Sequence, residues 1–225
     1  MNAVERYAAV SVPRYTSYPT AADFDVAVGE RDHARWLRDL DSQEPVSAYI
    51  HVPYCRRLCH YCGCHAKMAR RDDVIDAYRD RLVEEIALVS SLCGGRIPID
   101  RLAWGGGTPS ILGTEGLVRV VDALARHFDT SAIREHSIEL DPRHVSPELC
   151  RRLADIGVDR ASLGVQDADP TVQRAIGREQ PMDVVSAAMD RLRDAGIARI
   201  NIDLIYGLPE QTERSIVATC LLYTS

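Results

Sequence analysis

The stretch Cys55-Arg56-Arg57-Leu58-Cys59-His60-Tyr61-Cys62-Gly63-Cys64 places four thiols within ten residues, in the spacing C-x3-C-x2-C-x-C. A structural zinc site usually combines two separated C-x2-C pairs, or Cys with His at fixed distances. The remaining cysteines form no such second pair, because they stand far apart at Cys93, Cys150 and Cys220. A C-x3-C-x2-C loop suits a [4Fe–4S] cluster held at three irons, whose fourth iron stays open for a ligand. Zinc binding, or a disulfide pair in a secreted protein, is the alternative.

The composition is that of a globular protein without membrane segments. Hydrophobic residues make up 46% and charged residues 27% of the 225 residues. No apolar run approaches the length of a transmembrane helix, and the N-terminus opens no apolar signal region. We therefore expect a cytoplasmic protein without a membrane partner, in which clustered thiols indicate a metal or catalysis. The net charge of −6 argues against a nucleic-acid partner, although a local basic pocket for an anionic ligand is compatible with it.

Strand and helix patterns alternate five times with short connections, which indicates an α/β fold with a parallel sheet. One repeat supports this organisation, because residues 152–160 resemble residues 191–199 as a helix end, a glycine stop and a strand entry. Such a unit fits a (β/α) barrel and a doubly wound sheet nearly equally well. The predicted strands are residues 46–52, 99–104, 137–141, 161–165 and 200–206.

Each predicted strand ends in polar or glycine-rich sequence, and active sites of such barrels lie at the carboxyl ends of the strands. The cysteine loop follows the first strand, and Gly105-Gly106-Gly107 follows the second. Glycines let a ligand approach the backbone closely. Glu139 and Asp203 lie on strands that look buried, and a buried carboxylate needs a partner. A ligand amine or hydroxyl and an internal ion pair are equally good partners.

The sequence resembles the family of oxygen-independent coproporphyrinogen III oxidases within the radical S-adenosylmethionine (SAM) superfamily. The resemblance spans roughly residues 10 to 218, so it covers most of the chain. The motifs that carry it are Pro13-Arg14-Tyr15-Thr16-Ser17-Tyr18-Pro19-Thr20, the Cys55–Cys64 loop, Trp104-Gly105-Gly106-Gly107-Thr108-Pro109, Ser137-Ile138-Glu139, Gly164-Val165-Gln166-Asp167, Arg178-Glu179-Gln180 and Asn201-Ile202-Asp203-Leu204-Ile205-Tyr206-Gly207-Leu208-Pro209. For the fold, the resemblance implies a partial (β/α) barrel with parallel strands, which is truncated after about five βα units and lacks the family's C-terminal domain.

The resemblance also implies a set of site residues. The cluster would be held by Cys55, Cys59 and Cys62, and Cys64 would be an additional cysteine needed for activity. Two SAM molecules would bind, one on the cluster at Tyr49, Gly106 and Glu139. The second would contact Tyr61, Gly107, Thr108, Gln166, Arg178 and Asp203. Cys64, Tyr49 and Glu139 are accordingly the candidate catalytic residues.

The implied reaction is the oxidative decarboxylation of two propionate side chains of coproporphyrinogen III, which gives protoporphyrinogen IX in haem biosynthesis. A 5′-deoxyadenosyl radical would abstract hydrogen from the propionate β-carbon. The protein would be a monomer that receives electrons from a flavodoxin- or ferredoxin-type protein. A haem chaperone, or another haem-related radical SAM enzyme, is an alternative, although the chaperone typically lacks the fourth cysteine and the Arg-Tyr-Thr-Ser-Tyr-Pro arm. A zinc- or cluster-binding module is the non-enzymatic alternative.

The expected organisation has three parts. Residues 1–45 form an N-terminal arm, residues 46–219 the partial barrel, and residues 220–225 a foreign or read-through tail. Because the family continues beyond the fifth helix, we expect this chain to be an N-terminal fragment that is inactive on its own.

Overall fold

The protein is described by a computed structural model that covers Thr20 and residues 23–222. The motif at residues 13–20, which carries part of the resemblance, therefore lies outside the described residues, except for Thr20. The last three residues of the predicted tail, 223–225, also lie outside them.

The strands of the described residues are β1 (Val46–Val52), β2 (Tyr54–Cys55), β3 (Lys67–Met68), β4 (Ile99–Gly106), β5 (Glu135–Leu140), β6 (Arg160–Gln166) and β7 (Arg199–Leu204). Five of them are parallel and form one sheet in the order β1-β4-β5-β6-β7. A short parallel pair, β2 and β3, forms a second sheet that the sequence did not predict. In the main sheet the strand order follows the chain order, as expected for successive βα units.

Helices connect these strands, and their starts follow ordinary capping chemistry. Ser146 accepts a hydrogen bond from the Leu149 amide at 3.1 Å, and Asp169 accepts one from the Thr171 amide at 2.7 Å. Each of these caps is followed by proline in the first turn. The helices are α1 (Glu30–Arg38), α2 (Asp72–Leu92), α3 (Gly113–His127), α4 (Pro147–Asp155), α5 (Pro170–Ala175), α6 (Met182–Asp194) and α7 (Glu213–Leu222), with 3₁₀ turns at Pro109–Leu112 and Pro142–His144.

One face of the main sheet carries the hydrophobic core. A row of register partners crosses all five strands through Ile50, Trp104, Ile138, Ala161 and Ile200. Trp104, Ile138 and Ala161 are at most 2% exposed. Because side chains alternate between the two faces of a strand, the residues between these positions point to the opposite face. That opposite face is where the functional residues lie.

The core contains one polar pair at its centre. The indole Nε1 of Trp104 donates a hydrogen bond of 2.8 Å to Nε2 of His136, on the neighbouring strand. Both side chains are buried, and burial lowers the pKa of His136 to about 4. The neutral imidazole is therefore the form that accepts this bond, and the pair fixes β4 against β5.

The expectation that Glu139 and Asp203 would be buried is wrong. Both side chains are exposed, because they lie on the open face of the sheet. β7 alternates between exposed and half-buried residues along its whole length, as an edge strand does. An apolar-rich strand sequence cannot distinguish two buried faces from one buried and one open face.

Two further findings concern the ends of the described chain. α7 runs through Leu222, so the helix includes the first three residues of the predicted tail, and the separate assignment of that tail stays a prediction. Among the helices of the described residues, none combines the length and apolarity needed to cross a membrane.

Candidate active site

The carboxyl ends of the five parallel strands open into a cleft of about 670 Å³. Every site residue predicted from the sequence lines this one cleft. They come from the first strand, the cysteine loop, the turn Gly105–Gly107 (the glycine turn) and the ends of the later strands. They are Tyr49, Cys55, Cys59, Tyr61, Cys62, Cys64, Gly106, Gly107, Thr108, Glu139, Gln166, Arg178 and Asp203. Residues far apart in the sequence thus share one space, and the individual roles implied by the resemblance stay predictions.

The cysteine loop is anchored at its start and at its middle. The Ala69 amide donates to the carbonyl of Cys55 at 3.0 Å, within the short β2–β3 sheet. On the other side, the His60 amide donates to the Ile176 carbonyl at 2.9 Å, and His60 Nδ1 lies 3.1 Å from the Ala175 carbonyl oxygen. His60 therefore holds the middle of the loop against the end of α5. No sequence pattern indicates this role, because the partners of His60 are backbone atoms more than a hundred residues away.

The four thiols of the loop differ in their surroundings. Cys55 and Cys59 are half-buried, whereas Cys62 and Cys64 are exposed. The Thr108 hydroxyl lies 3.4 Å from Cys55 Sγ, and the Arg178 guanidinium lies 3.4 Å from Cys59 Sγ. Burial raises the pKa of Cys55, and burial together with neighbouring Cys62 raises the pKa of Cys64 to about 11. Without a metal these two thiols hold their protons, so binding of Cys55 to a metal would release its proton.

The residues present suit an iron–sulfur cluster better than a structural zinc ion. All seven cysteines are free thiols, which excludes the disulfide alternative in this structure. Within the part of the chain that the structure describes, no three His, Cys, Asp or Glu side chains are grouped as ligands of a single metal ion. A structural zinc ion needs four ligands around one point. A cluster offers separate irons to separate thiols, and three thiols of one loop facing one cleft match that requirement.

The glycine turn is required by packing as well as by access to the cleft. A Cβ at Gly107 would lie 2.6 Å from the Tyr54 carbonyl oxygen, which is closer than atoms approach. Gly106 has a φ of 109°, and a Cβ there would meet the His51 ring at 2.6 Å. The turn therefore presses against β1 and the start of the cysteine loop, and only glycine permits that approach. His51 is a cleft residue that the sequence reasoning did not single out.

Two carboxylates occupy the open face of the sheet near the glycine turn. The Gly106 amide donates to Glu139 Oε2 at 3.2 Å, and Asn201 donates to Asp203 Oδ1 at 2.8 Å. Loss of water inside the cleft raises the pKa of both carboxyls, and the charge of Asp203 raises the pKa of Glu139 further. Although their surfaces are exposed, the cleft walls remove part of their hydration. A cation bound between them would stabilise both ionised forms.

Arg178 is a buried cation that also lines the cleft. Its Nη2 and Nε donate to the Gly164 carbonyl at 2.6 and 3.0 Å, and its Nη1 lies 3.6 Å from Asp141. The same guanidinium reaches Cys59, so it joins the cysteine loop to β6. Gln166, at the end of β6, has a φ of 72°, which is strained for a residue with a side chain. Strain of this kind concentrates at functional sites.

The chain is similar to proteins of known type. The family model described as the radical SAM superfamily matches residues 49–222. An oxygen-independent coproporphyrinogen III oxidase from Bradyrhizobium diazoefficiens is 46% identical over 215 residues, which are 96% of this chain and 47% of that protein. The enzyme of the same name from Escherichia coli K12 is 40% identical over 209 residues, which are 93% of this chain and 45% of that protein.

A solved structure agrees with these matches. The coproporphyrinogen III oxidase from Escherichia coli, described as a radical SAM enzyme, superposes with a TM-score of 0.86 at 37% identity, covering 93% of this chain and 48% of that one. The five-stranded parallel sheet is thus the partial barrel expected from the sequence. The chain spans about half the length of the curated relatives it matches.

Proposed function

The chain belongs to the radical SAM superfamily, and from this we propose that it is the radical SAM part of an enzyme for the oxygen-independent oxidation of coproporphyrinogen III to protoporphyrinogen IX, and that it is inactive on its own. The observation that carries the proposal is the convergence of all thirteen predicted site residues on one cleft. The names of the relatives support this choice of substrate, and the residues that line the cleft support the chemistry. We propose a cytoplasmic monomer, supplied with electrons by a flavodoxin- or ferredoxin-type protein.

In this proposal the cluster is held by Cys55, Cys59 and Cys62. When bound, the cluster and SAM together supply hydrogen-atom abstraction from an unactivated C–H bond, chemistry that protein side chains cannot provide. The loop contributes by holding three thiols at the mouth of the cleft with its centre fixed by His60. Cys64 lies on the same loop and keeps its proton because of its raised pKa. We propose that Cys64 serves the reaction without binding iron.

The remaining residues would bind and orient SAM. SAM carries an ammonium and a sulfonium group, and Glu139 and Asp203 line the cleft without an ion pair to any described residue, so both carboxylates are available to a cation. The glycine turn offers backbone groups that no side chain covers. For one SAM on the cluster we propose contacts to Tyr49, Gly106 and Glu139. For a second SAM we propose Tyr61, Gly107, Thr108, Gln166, Arg178 and Asp203.

The test is electron paramagnetic resonance of anaerobically reconstituted, dithionite-reduced protein, with and without SAM. We expect a [4Fe–4S]⁺ signal that changes when SAM is added, together with stoichiometric iron and inorganic sulfide. Cys59→Ser should remove the signal. Cys93→Ser is the matched control, because Cys93 is a half-buried thiol at the end of α2 that only donates to the Val89 carbonyl, which serine can also do.

Two results would overturn the proposal. Bound zinc without sulfide in folded protein would indicate a structural metal module. A cluster whose signal does not respond to SAM would indicate an iron–sulfur protein without an open iron.

A further inference from the structure

The cysteine loop and the chain that follows it carry basic side chains to which the proposed reaction assigns no role. We propose that their surface, here called the basic rim and made of Arg56, Arg57, Met68, Arg70 and Arg143, is the docking site of an acidic one-electron donor protein. The inference rests on the proposed function and deepens it, because it assigns a place on the chain to the reductant. Cys55 would be the point at which the electron enters.

The charge of this segment is opposite to that of the whole chain. Residues 56–73 contain five Arg or Lys and two Asp, whereas the formal net charge of the protein is −6. Arg57 is exposed, and its side chain has no hydrogen bond or ion pair with any of the described residues. Arg56 pairs with Asp72, a carboxylate whose side chain is 82% exposed. Surface pairs of this kind contribute little, so both arginines remain available to a partner.

The position of the rim links it to the cluster ligands. A small cavity of about 190 Å³ lies between Arg56, Arg57 and Arg143, and Cys55 forms part of its wall. Cys55 also lines the large cleft, as do Arg57, Thr108 and Asp141, so these four residues form the wall between the cleft and the small cavity. Met68 is the strand partner of Cys55 and is 46% exposed. An apolar side chain among exposed arginines is the composition of a transient docking surface.

A small anion is the other ligand that the cavity could take, and the geometry favours it less. The most enclosed cationic group there is Arg143, and its guanidinium is occupied by Asp141 at 2.6 and 2.9 Å. The remaining cationic groups lie on the open surface, where water competes for them. A protein partner needs no enclosure, since it excludes water over its own contact area.

The step itself is a single electron transfer. The donor, a low-potential flavin or iron–sulfur protein with an acidic surface, loses one electron, and the cluster held by the loop gains it. No bond forms or breaks. The arginines of the basic rim act before this step, because opposite charges accelerate the encounter of two proteins and align them.

The experiment measures the second-order rate at which a photoreduced bacterial flavodoxin reduces the reconstituted chain, by stopped-flow absorbance at low ionic strength. Arg57→Glu should slow this rate about tenfold, since steering charges change association rates by 10- to 1000-fold. Arg151→Glu is the matched control, because it reverses the charge of an exposed arginine on α4. Reduction by dithionite, and the iron and sulfide content, should be the same in all three proteins. The wild-type rate should also fall as salt is added.

Three results would overturn the inference. The first is an Arg57→Glu rate equal to that of Arg151→Glu. The second is a wild-type rate that does not change with salt, a measurement that needs no variant and therefore holds even if Arg57→Glu fails to take up iron. The third is binding of propionate at Arg57 while the flavodoxin rate stays unaffected, which would assign the cavity to small anions. If the wild-type chain assembles no cluster, the proposed function is refuted, and this inference, which rests on it, is refuted as well.

Discussion

Protonation of His136 should destabilise the fold in a pH range that can be measured. The imidazole is buried and accepts the indole hydrogen of Trp104 at 2.8 Å. A proton on Nε2 would place two donors face to face and put a charge in the core. Burial is the main cause that lowers the pKa of His136 from 6.5 to about 4, and the backbone of Ile156 and the charge of Asp159 only partly oppose it.

The size of the effect follows from this pKa difference. Because the native pKa is lower than the unfolded one, the unfolded chain binds the proton first as the pH falls. The stabilisation from the neutral histidine is therefore complete above pH 6.5, and it is lost as the pH falls toward 4. At about 1.4 kcal/mol per pH unit, the full difference amounts to about 3 kcal/mol. Between pH 7 and pH 5 alone, the free energy of unfolding should fall by about 2 kcal/mol through this residue.

The assay is urea unfolding followed by far-UV circular dichroism at pH 7 and pH 5. His136→Gln retains an oxygen that can accept the Trp104 hydrogen but cannot titrate. The change in its free energy of unfolding between pH 7 and pH 5 should be about 2 kcal/mol smaller than that of the wild type. The control is His33→Gln, because His33 is exposed on α1. If the free energy of unfolding changes equally between pH 7 and pH 5 in the wild type and in His136→Gln, the argument that His136 is held neutral in the core is refuted.

Three further predictions concern the cleft. Gly107→Ala should lower the free energy of unfolding by about 1–3 kcal/mol in urea titrations, because its Cβ would meet the Tyr54 backbone. The control is Gly29→Ala, where a Cβ would meet no atom within 4 Å, and it should lower the free energy of unfolding by less than about 1 kcal/mol. Arg178→Lys keeps the charge but loses the pair of hydrogen bonds that Nε and Nη2 donate to the Gly164 carbonyl, so we expect the free energy of unfolding to fall by about 1–3 kcal/mol in the same titration. An unchanged free energy of unfolding would contradict this prediction. Cys64→Ser should keep the iron and sulfide content of the wild type, and loss of iron would make Cys64 a ligand.

The sequence predicted the strands well because their pattern depends on local composition. β1 was predicted at its observed ends, Val46–Val52, since it is an apolar strand that Pro53 terminates. The other main strands were found to within two residues at each end. The two-residue pair β2–β3 was missed, because two residues are too few to show any periodicity. Its existence depends on contacts between the two ends of the cysteine loop.

The candidate site was predictable as a set of residues but not as an arrangement. Strand order placed the motifs at one edge of the sheet, and the structure brings them to one cleft. The supporting contacts could not be predicted, because His60, His51 and the Trp104–His136 pair depend on atoms that only the tertiary fold brings together. The exposure of Asp203 was missed for a related reason. Whether a strand has a neighbour on its open face is not encoded in that strand.

The cleft is lined by two carboxylates and a buried guanidinium that form no ion pair with each other, and this constrains what can bind there. Loss of hydration raises the pKa of Glu139 and of Asp203, and the charge of Asp203 raises the pKa of Glu139 further. Arg178 is a buried cation that directs one nitrogen at Cys59. A fold that only maximised stability would pair these groups with each other. Because they are not paired, the carboxylates suit a cationic ligand and the guanidinium suits an anionic sulfur. A cationic cofactor bound next to a thiolate-held cluster satisfies both kinds of group at once, and a single metal ion or a neutral ligand would satisfy only one.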